Sequence, residues 1–136
     1  MDPSLYLQYV ELVEAGEIRK AADQFFAPSF TIFKNNHEYT DLESFMRTKD
    51  FQHLFMRETI NVLGYYQGEN SFVVETMYGW HAERDVDRAE FEKAGLLDGY
   101  LPLKASESLE THCVFFYETE GTRFKRCRVY ELGAQE

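Results

Sequence analysis

The sequence predicts an α+β domain in which three N-terminal helices pack on one face of a curved antiparallel sheet. Apolar residues recur at helical spacing through the first half, with one short strand-like run among them. From residue 58 onward the period changes to two, and two long β-rich hairpins close the chain. At 136 residues, one domain with one core accounts for the whole of residues 1–136.

The first helix is expected over residues 3–15. Asp2 caps it, Pro3 suits its first position, and Leu5, Tyr9, Leu12 and Val13 form its apolar stripe before Gly16 breaks it. The second, over 17–26, carries Ile18, Ala21, Phe25 and Phe26 and ends before Pro28. Phe30-Thr31-Ile32-Phe33 reads as a strand and Asn35-Asn36 as a turn. Thr40 and Glu43 have capping-box spacing, so a third helix starts near Asp41 and brings Leu42, Phe45 and Met46 inward. Residues 58–66 and 71–84 form a hairpin around Gly68-Glu69-Asn70. Residues 86–104 connect it to the last hairpin, as a lid with a helical turn or two over 87–94 or as a disordered loop.

Composition removes several classes of function. A net charge of -10 repels phosphate backbones and anionic lipid, so neither nucleic acid nor a membrane surface is an expected partner. The apolar runs fall short of a membrane span, and the first residues lack a signal peptide's basic and apolar regions, so a cytoplasmic protein is expected. Twelve Phe, nine Tyr and one Trp point to an aromatic-lined cavity, a hydrophobic interface, or both. The four histidines have no ligand spacing and Cys113 and Cys127 form no Cys-x-x-Cys pair, so no metal site or redox motif is expected.

The last hairpin, residues 108–132, concentrates the polar chemistry. A two-residue turn at Glu120-Gly121 would pair Thr119 with Thr122. Val114 then faces Cys127, His112 faces Val129 and Glu110 faces Glu131, all on one face with Phe116, while Cys113 takes the other face and a disulfide is excluded. His112 and Glu131 would sit diagonally, about 7 Å apart, and form the lead acid–base pair. Two carboxylates in an apolar setting cannot both ionise cheaply, so one rises toward a general acid. The alternative is that Glu110 and Glu131 lie at strand ends in water and His112 is a satisfied core histidine.

The element order resembles the nuclear-transport-factor-two-like superfamily, with its SnoaL-like polyketide cyclases, ketosteroid isomerases, limonene epoxide hydrolases and scytalone dehydratases. The resemblance spans nearly the whole chain. It rests also on Phe26-Ala27-Pro28-Ser29-Phe30-Thr31-Ile32, on Glu38-Tyr39-Thr40-Asp41-Leu42, and on Thr119-Glu120-Gly121 followed by Cys127-Arg128-Val129-Tyr130. It implies a cone whose interior is an apolar pocket holding a few acid–base groups, and whose outer sheet face forms a homodimer. It also implies that Val73, Glu75, Met77, Gly79 and His81 face inward, with Phe72, Val74, Thr76, Tyr78 and Trp80 outward. Dehydratase positions align near Asn61, His81 and His112, with Lys34 on a strand-one tyrosine; Glu14-Ala15 departs from that pattern. The epoxide hydrolase residues fall on Met77, Gly79 and Val129, so that site is not reproduced.

The expectation is a cofactor-independent isomerase, cyclase or dehydratase acting on an apolar, oxygenated small molecule of natural-product biosynthesis. Glu131, His112, Glu75 and His81 are its candidate catalytic residues. Glu110, Asn61, Tyr65, Met77, Val114, Phe116, Cys127, Val129 and Lys34 are candidate substrate contacts. His37-Glu38 belongs to a surface loop or to the pocket mouth, and Arg126 and Arg128 point outward to acids across the sheet. The competing class is a non-catalytic module binding a ligand or partner through the same cavity.

Overall fold

The computed structural model describes residues 1–34, 37–39 and 41–135. Helix α1, Pro3–Glu14, begins where the Asp2 carboxylate accepts from the Ser4 N–H at 2.8 Å, and it buries Tyr6, Tyr9, Val10 and Val13. Gly16, at φ +78°, supplies the left-handed residue that ends it. Helix α2, Ile18–Phe25, buries Ile18, Ala21 and Phe25. Strand β1, Phe26–Lys34, is longer than the strand expected at 30–33 and absorbs the end of the expected second helix. A three-residue strand β2, His37–Tyr39, pairs with it at the sheet edge, where Glu38 is exposed. Helix α3, Leu42–Gln52, is capped by Asp41, whose carboxylate accepts from Glu43 and Ser44. The Asn35-Asn36 turn and the Thr40 half of the capping box lie outside the described residues.

Strands β3, Met56–Gln67, and β4, Ser71–Ala82, form the first long hairpin. The connection that follows is folded and packed, neither loose nor disordered. Helix α4, Arg88–Ala94, and a 3-10 turn at Leu97–Gly99 bury Phe91 and Leu96 against Phe55, Met56 and Trp80. Gln52 donates to the Gly99 carbonyl at 2.9 Å, which ties this segment to α3. Strands β5, Ser108–Glu120, and β6, Arg123–Gln135, close the chain.

One six-stranded curved sheet results, in the order β2-β1-β6-β5-β4-β3. All its pairings are antiparallel except β1 with β6, which is parallel, so the sheet is mixed. The α1–α3 layer covers its concave face. Tyr6 sits at the centre of that interface, with ring centroids 5.5 Å from both Phe72 and Tyr117.

Two features depart from the expected geometry, and both decide which residues face inward. The final turn lies at Gly121-Thr122, with Gly121 at φ +63°, so Glu120 pairs with Arg123 and Thr119 with Phe124. The register then slips at Lys125: Glu118 pairs with Arg126, Tyr117 with Cys127 and Cys113 with Glu131. An extra residue on one strand exchanges its faces. Cys113, Phe115 and Tyr117 therefore share the concave face with Cys127, Val129 and Glu131, while His112, Val114 and Phe116 take the convex one. Both cysteines face inward as free thiols, separated along the hairpin. In β4 it is Phe72, Val74, Thr76, Tyr78 and Trp80 that face inward, and Glu75, Met77 and His81 that face out. The inward set is aromatic, branched and uncharged. Burying it avoids desolvating a glutamate and a histidine without partners.

Candidate functional site

Between the helices and the concave sheet face lies a cavity of about 480 Å³, within the range of small-molecule sites. One end of it is aromatic. Tyr6 from α1 and Tyr117 from β5 meet there, their hydroxyl oxygens 3.0 Å apart and both buried. Phe26, Phe30, Ile32, Phe115, Cys127 and Val129 supply apolar walls. The other end is bounded by α3 and by the folded connection, through Thr48, Gln52 and residues 98–101.

Charged and hydrogen-bonding groups gather toward this second end. Glu58, inward on β3 between Met56 and Ile60, has a side chain wholly out of water. Lys49 from α3 donates to its Oε2 at 2.5 Å, and His53 Nε2 lies 2.8 Å from its Oε1. Lys49 donates also to the Tyr78 hydroxyl at 2.5 Å. Burial pushes the Glu58 carboxyl up, but the Lys49 charge and the hydrogen bonds from His53 and Lys49 outweigh it and hold the group below its ordinary value. Glu58 is thus an ionised carboxylate with both oxygens occupied, which keeps Lys49 in place beneath Tyr78 and Trp80.

Lys34 ends β1, beside Val129 of β6, and reaches the same region from the opposite wall. Its Nζ lies 5.9 Å from the centre of the Tyr78 ring. Among the described residues none of the ion pairs includes it. Burial and the neighbouring Lys49 charge pull its ammonium below the ordinary lysine value, against Glu131 and Glu58. Glu131, across the hairpin from Cys113, lines the cavity while remaining exposed to solvent. Burial and the nearby Glu131 charge push the Cys113 thiol up to about 11, so it is an un-ionised wall residue.

Of the residues singled out from sequence, Lys34, Cys127, Val129 and Glu131 line this cavity. Tyr65 faces inward beyond the aromatic end, where its hydroxyl donates to the Met1 carbonyl and its ring stacks on Phe72 at 5.2 Å. The others lie on the convex face. His112 Nε2 is 2.6 Å from Glu75 Oε2 there, and His81 Nδ1 is 2.6 Å from Ser108 Oγ. Met77 pairs with His112 and with the exposed Asn61, and Glu110 pairs with Gly79. Val114 and Phe116 share that face. His112 and Glu131, expected as a diagonal pair, are on opposite faces because of the slip at Lys125. Arg126 does approach Glu118 across the outer face, at 3.8 Å.

Sequence reasoning passed over Glu58, Lys49, His53 and Tyr78. A signal for Glu58 was present: a lone carboxylate at an inward position between Met56 and Ile60 demands a buried cation. Nothing local identifies which cation answers it. Among the described residues no cluster of His, Cys, Asp and Glu has the geometry to hold a metal ion, and no helix is long and apolar enough to cross a membrane.

No protein-family model matches the sequence, and no curated protein does. Solved structures do match its shape. A candidate polyketide cyclase from Xanthomonas campestris superposes with a TM-score of 0.71 at 12% identity, over 93% of this chain and 87% of that one. A candidate SnoaL-like polyketide cyclase from Jannaschia gives 0.69 at 10% identity, over 97% and 90%. A hypothetical protein with a ketosteroid isomerase-like fold from Catenulispora acidiphila, in complex with trimethylamine, gives 0.67 at 13% identity, over 96% and 86%. The chain has the nuclear-transport-factor-two-like cone fold, with its sheet left open.

Proposed function

We propose that the protein is a cofactor-independent acid–base enzyme, an isomerase, cyclase or dehydratase, whose substrate is an apolar carbonyl compound of natural-product biosynthesis. The observation that carries this reading is the division of the cavity: an aromatic end that can take a hydrocarbon body, and an opposite end where Lys34, Lys49, Tyr78 and Glu131 line the wall. A substrate carbonyl would accept a hydrogen bond from Tyr78 or Lys49. Glu58 holds Lys49 and Lys49 in turn bonds the Tyr78 hydroxyl, so charge developing on that oxygen meets donors already in place. Glu131 would take the proton from the adjacent carbon and return it elsewhere. This reading keeps Glu131 as a catalytic candidate and assigns His112, Glu75 and His81 to the outer face. There, exposed Tyr66, Tyr130 and Leu132 beside Val73, Met77 and Phe116 offer the surface for a homodimer.

The test is hydrogen exchange next to a carbonyl. A set of apolar aryl ketones and 1,3-diketones is incubated with the protein in deuterated buffer, and loss of the α-proton signal is followed by NMR. At least one member should exchange well above the buffer rate, and Glu131→Gln should lower that rate about a hundredfold, the usual scale of a general base. A folded wild type that accelerates none of them would refute the proposal.

A further inference from the structure

We propose that Lys34 is a covalent nucleophile, forming a carbinolamine and then an imine with an aldehyde or ketone bound in the cavity. The inference rests on the acid–base reading above and names the substrate class and the residue that carries it. Geometry separates the two lysines of the site. Lys49 is committed: its ammonium bonds Glu58 at 2.5 Å and Tyr78 at 2.5 Å, and it has no lone pair to offer. Lys34 lines the cavity, its Nζ 5.9 Å from the centre of the Tyr78 ring, and takes part in none of the ion pairs among the described residues. A second ammonium beside an amine in an apolar wall favours the neutral, nucleophilic form. The downward pull on Lys34 by burial and by Lys49 has that sign. The charged or titratable groups around it are Lys49, Glu131, Glu58 and Cys113, so acids that would restore its charge are present but do not pair with it.

The remaining parts of the step are at hand. The Lys34 lone pair attacks the carbonyl carbon, and the carbonyl π pair moves to oxygen, which takes a proton from Tyr78 or Lys49. Glu131 removes the proton from the new ammonium. Glu131 returns that proton to the hydroxyl, which leaves as water as the nitrogen lone pair forms the iminium; hydrolysis reverses the sequence and releases product. Loss of an adjacent proton from the iminium gives an enamine, a carbon nucleophile suited to ring closure. The balance is one amine and one carbonyl to one imine and one water, with no oxidant or reductant.

Reductive trapping tests this. The folded protein is incubated with benzaldehyde and sodium cyanoborohydride near neutral pH, and benzylated lysines are located by peptide mass spectrometry. Quenching of Trp80, the one tryptophan, which lines the cavity, reports occupancy separately. An amine whose pKa is lowered has a larger neutral, nucleophilic fraction at this pH than an ordinary lysine. Lys34 should therefore be benzylated faster than the exposed Lys20, Lys93, Lys104 and Lys125. Folded Lys34→Met should lose the fast adduct while still showing the quench. Quenching with Lys34 labelled no faster than surface lysines would overturn the nucleophile and leave the acid–base reading standing. Transfer of the fast adduct to Lys49 in Lys34→Met would overturn it as well. Absence of any quench or adduct would remove both readings, since the cavity would then not admit a carbonyl compound.

Discussion

Glu58 is the one charged residue, among those described, that is fully buried. A carboxylate with no solvent contact costs several kcal/mol to bury, and its attraction to a cation repays this only where the geometry is good and both oxygens are satisfied. Lys49 and His53 meet that condition with contacts of 2.5 and 2.8 Å. The arrangement predicts an asymmetry. Lys49→Met leaves a buried charge with only His53 beside it and should cost about 3 kcal/mol in urea unfolding. Lys49→Met combined with Glu58→Gln removes the charge together with its partner and should recover most of that loss. Equal losses in the single and double variants would contradict the account. The pH dependence has a fixed sign. The folded-state value of Glu58 is depressed, so its contribution is complete above the ordinary carboxylate value of 4.5 and is lost as pH falls through the folded value. Glu58→Gln should flatten the acid limb of the stability curve in that window.

At the scale of elements, the face that each strand presents is what sequence reading found hardest, and the reason is local. The α1–α3 order, the two hairpins and the cap at Asp2 follow from periodicity and from short-range hydrogen bonding, which a sequence displays directly. Facing in the last hairpin depends on one extra residue at Lys125, a slip that exchanges the faces as far as Glu131, after which a second extra residue at Leu132 shifts the register again. No residue type there signals a bulge. In β4 the alternation itself carried the signal: Phe72, Val74, Thr76, Tyr78 and Trp80 carry no charge, whereas the set beginning at Val73 contains Glu75 and His81. Polarity argued for the observed facing, and family resemblance argued against it. The pocket's charged groups were equally hidden, because Lys49 and His53 reach Glu58 from α3 and the turn after it, and helix–strand contacts leave no periodic trace. The connection at residues 86–104 makes its own prediction. A Cβ built on Gly99 would fall 2.7 Å from Thr48 Cγ2 and 3.2 Å from Gln52 Nε2. Gly99→Val must therefore push this wall of the cavity away from α3 and break the bond from Gln52 to the Gly99 carbonyl. Overpacking of this kind costs about 1–3 kcal/mol. Faster amide exchange confined to residues 86–104 and the end of α3 is the expected readout; uniform protection would show that the segment accommodates the side chain.

At the scale of the molecule, a chain of net charge -10 places two lysines against one cavity, where neither the long-range field nor bulk solvent fully compensates them. Lys49 has its counter-ion. Lys34 does not, and the whole fold bears the consequence as a pH-dependent strain. Its folded-state value is depressed below the ordinary 10.5, so the unfolded chain binds more protons between the two values and stability rises with pH across that window. The buried tyrosines act in the opposite sense. Burial raises Tyr6, Tyr9 and Tyr117, so their contribution is complete below the ordinary 10.0 and is lost as pH rises through the folded values. A single stability curve would mix the two effects, whereas the difference between wild type and Lys34→Met isolates the lysine. Lys34→Met keeps the apolar stem and removes the amine, so urea midpoints should show the variant more stable than wild type near neutral pH. The gap should close as pH rises through the ordinary value of about 10.5, above which the amine is neutral in both states. A gap that stays constant with pH would mean that Lys34 is solvated as an ordinary ammonium. In that event the amine would lack the neutral fraction on which its proposed chemistry depends.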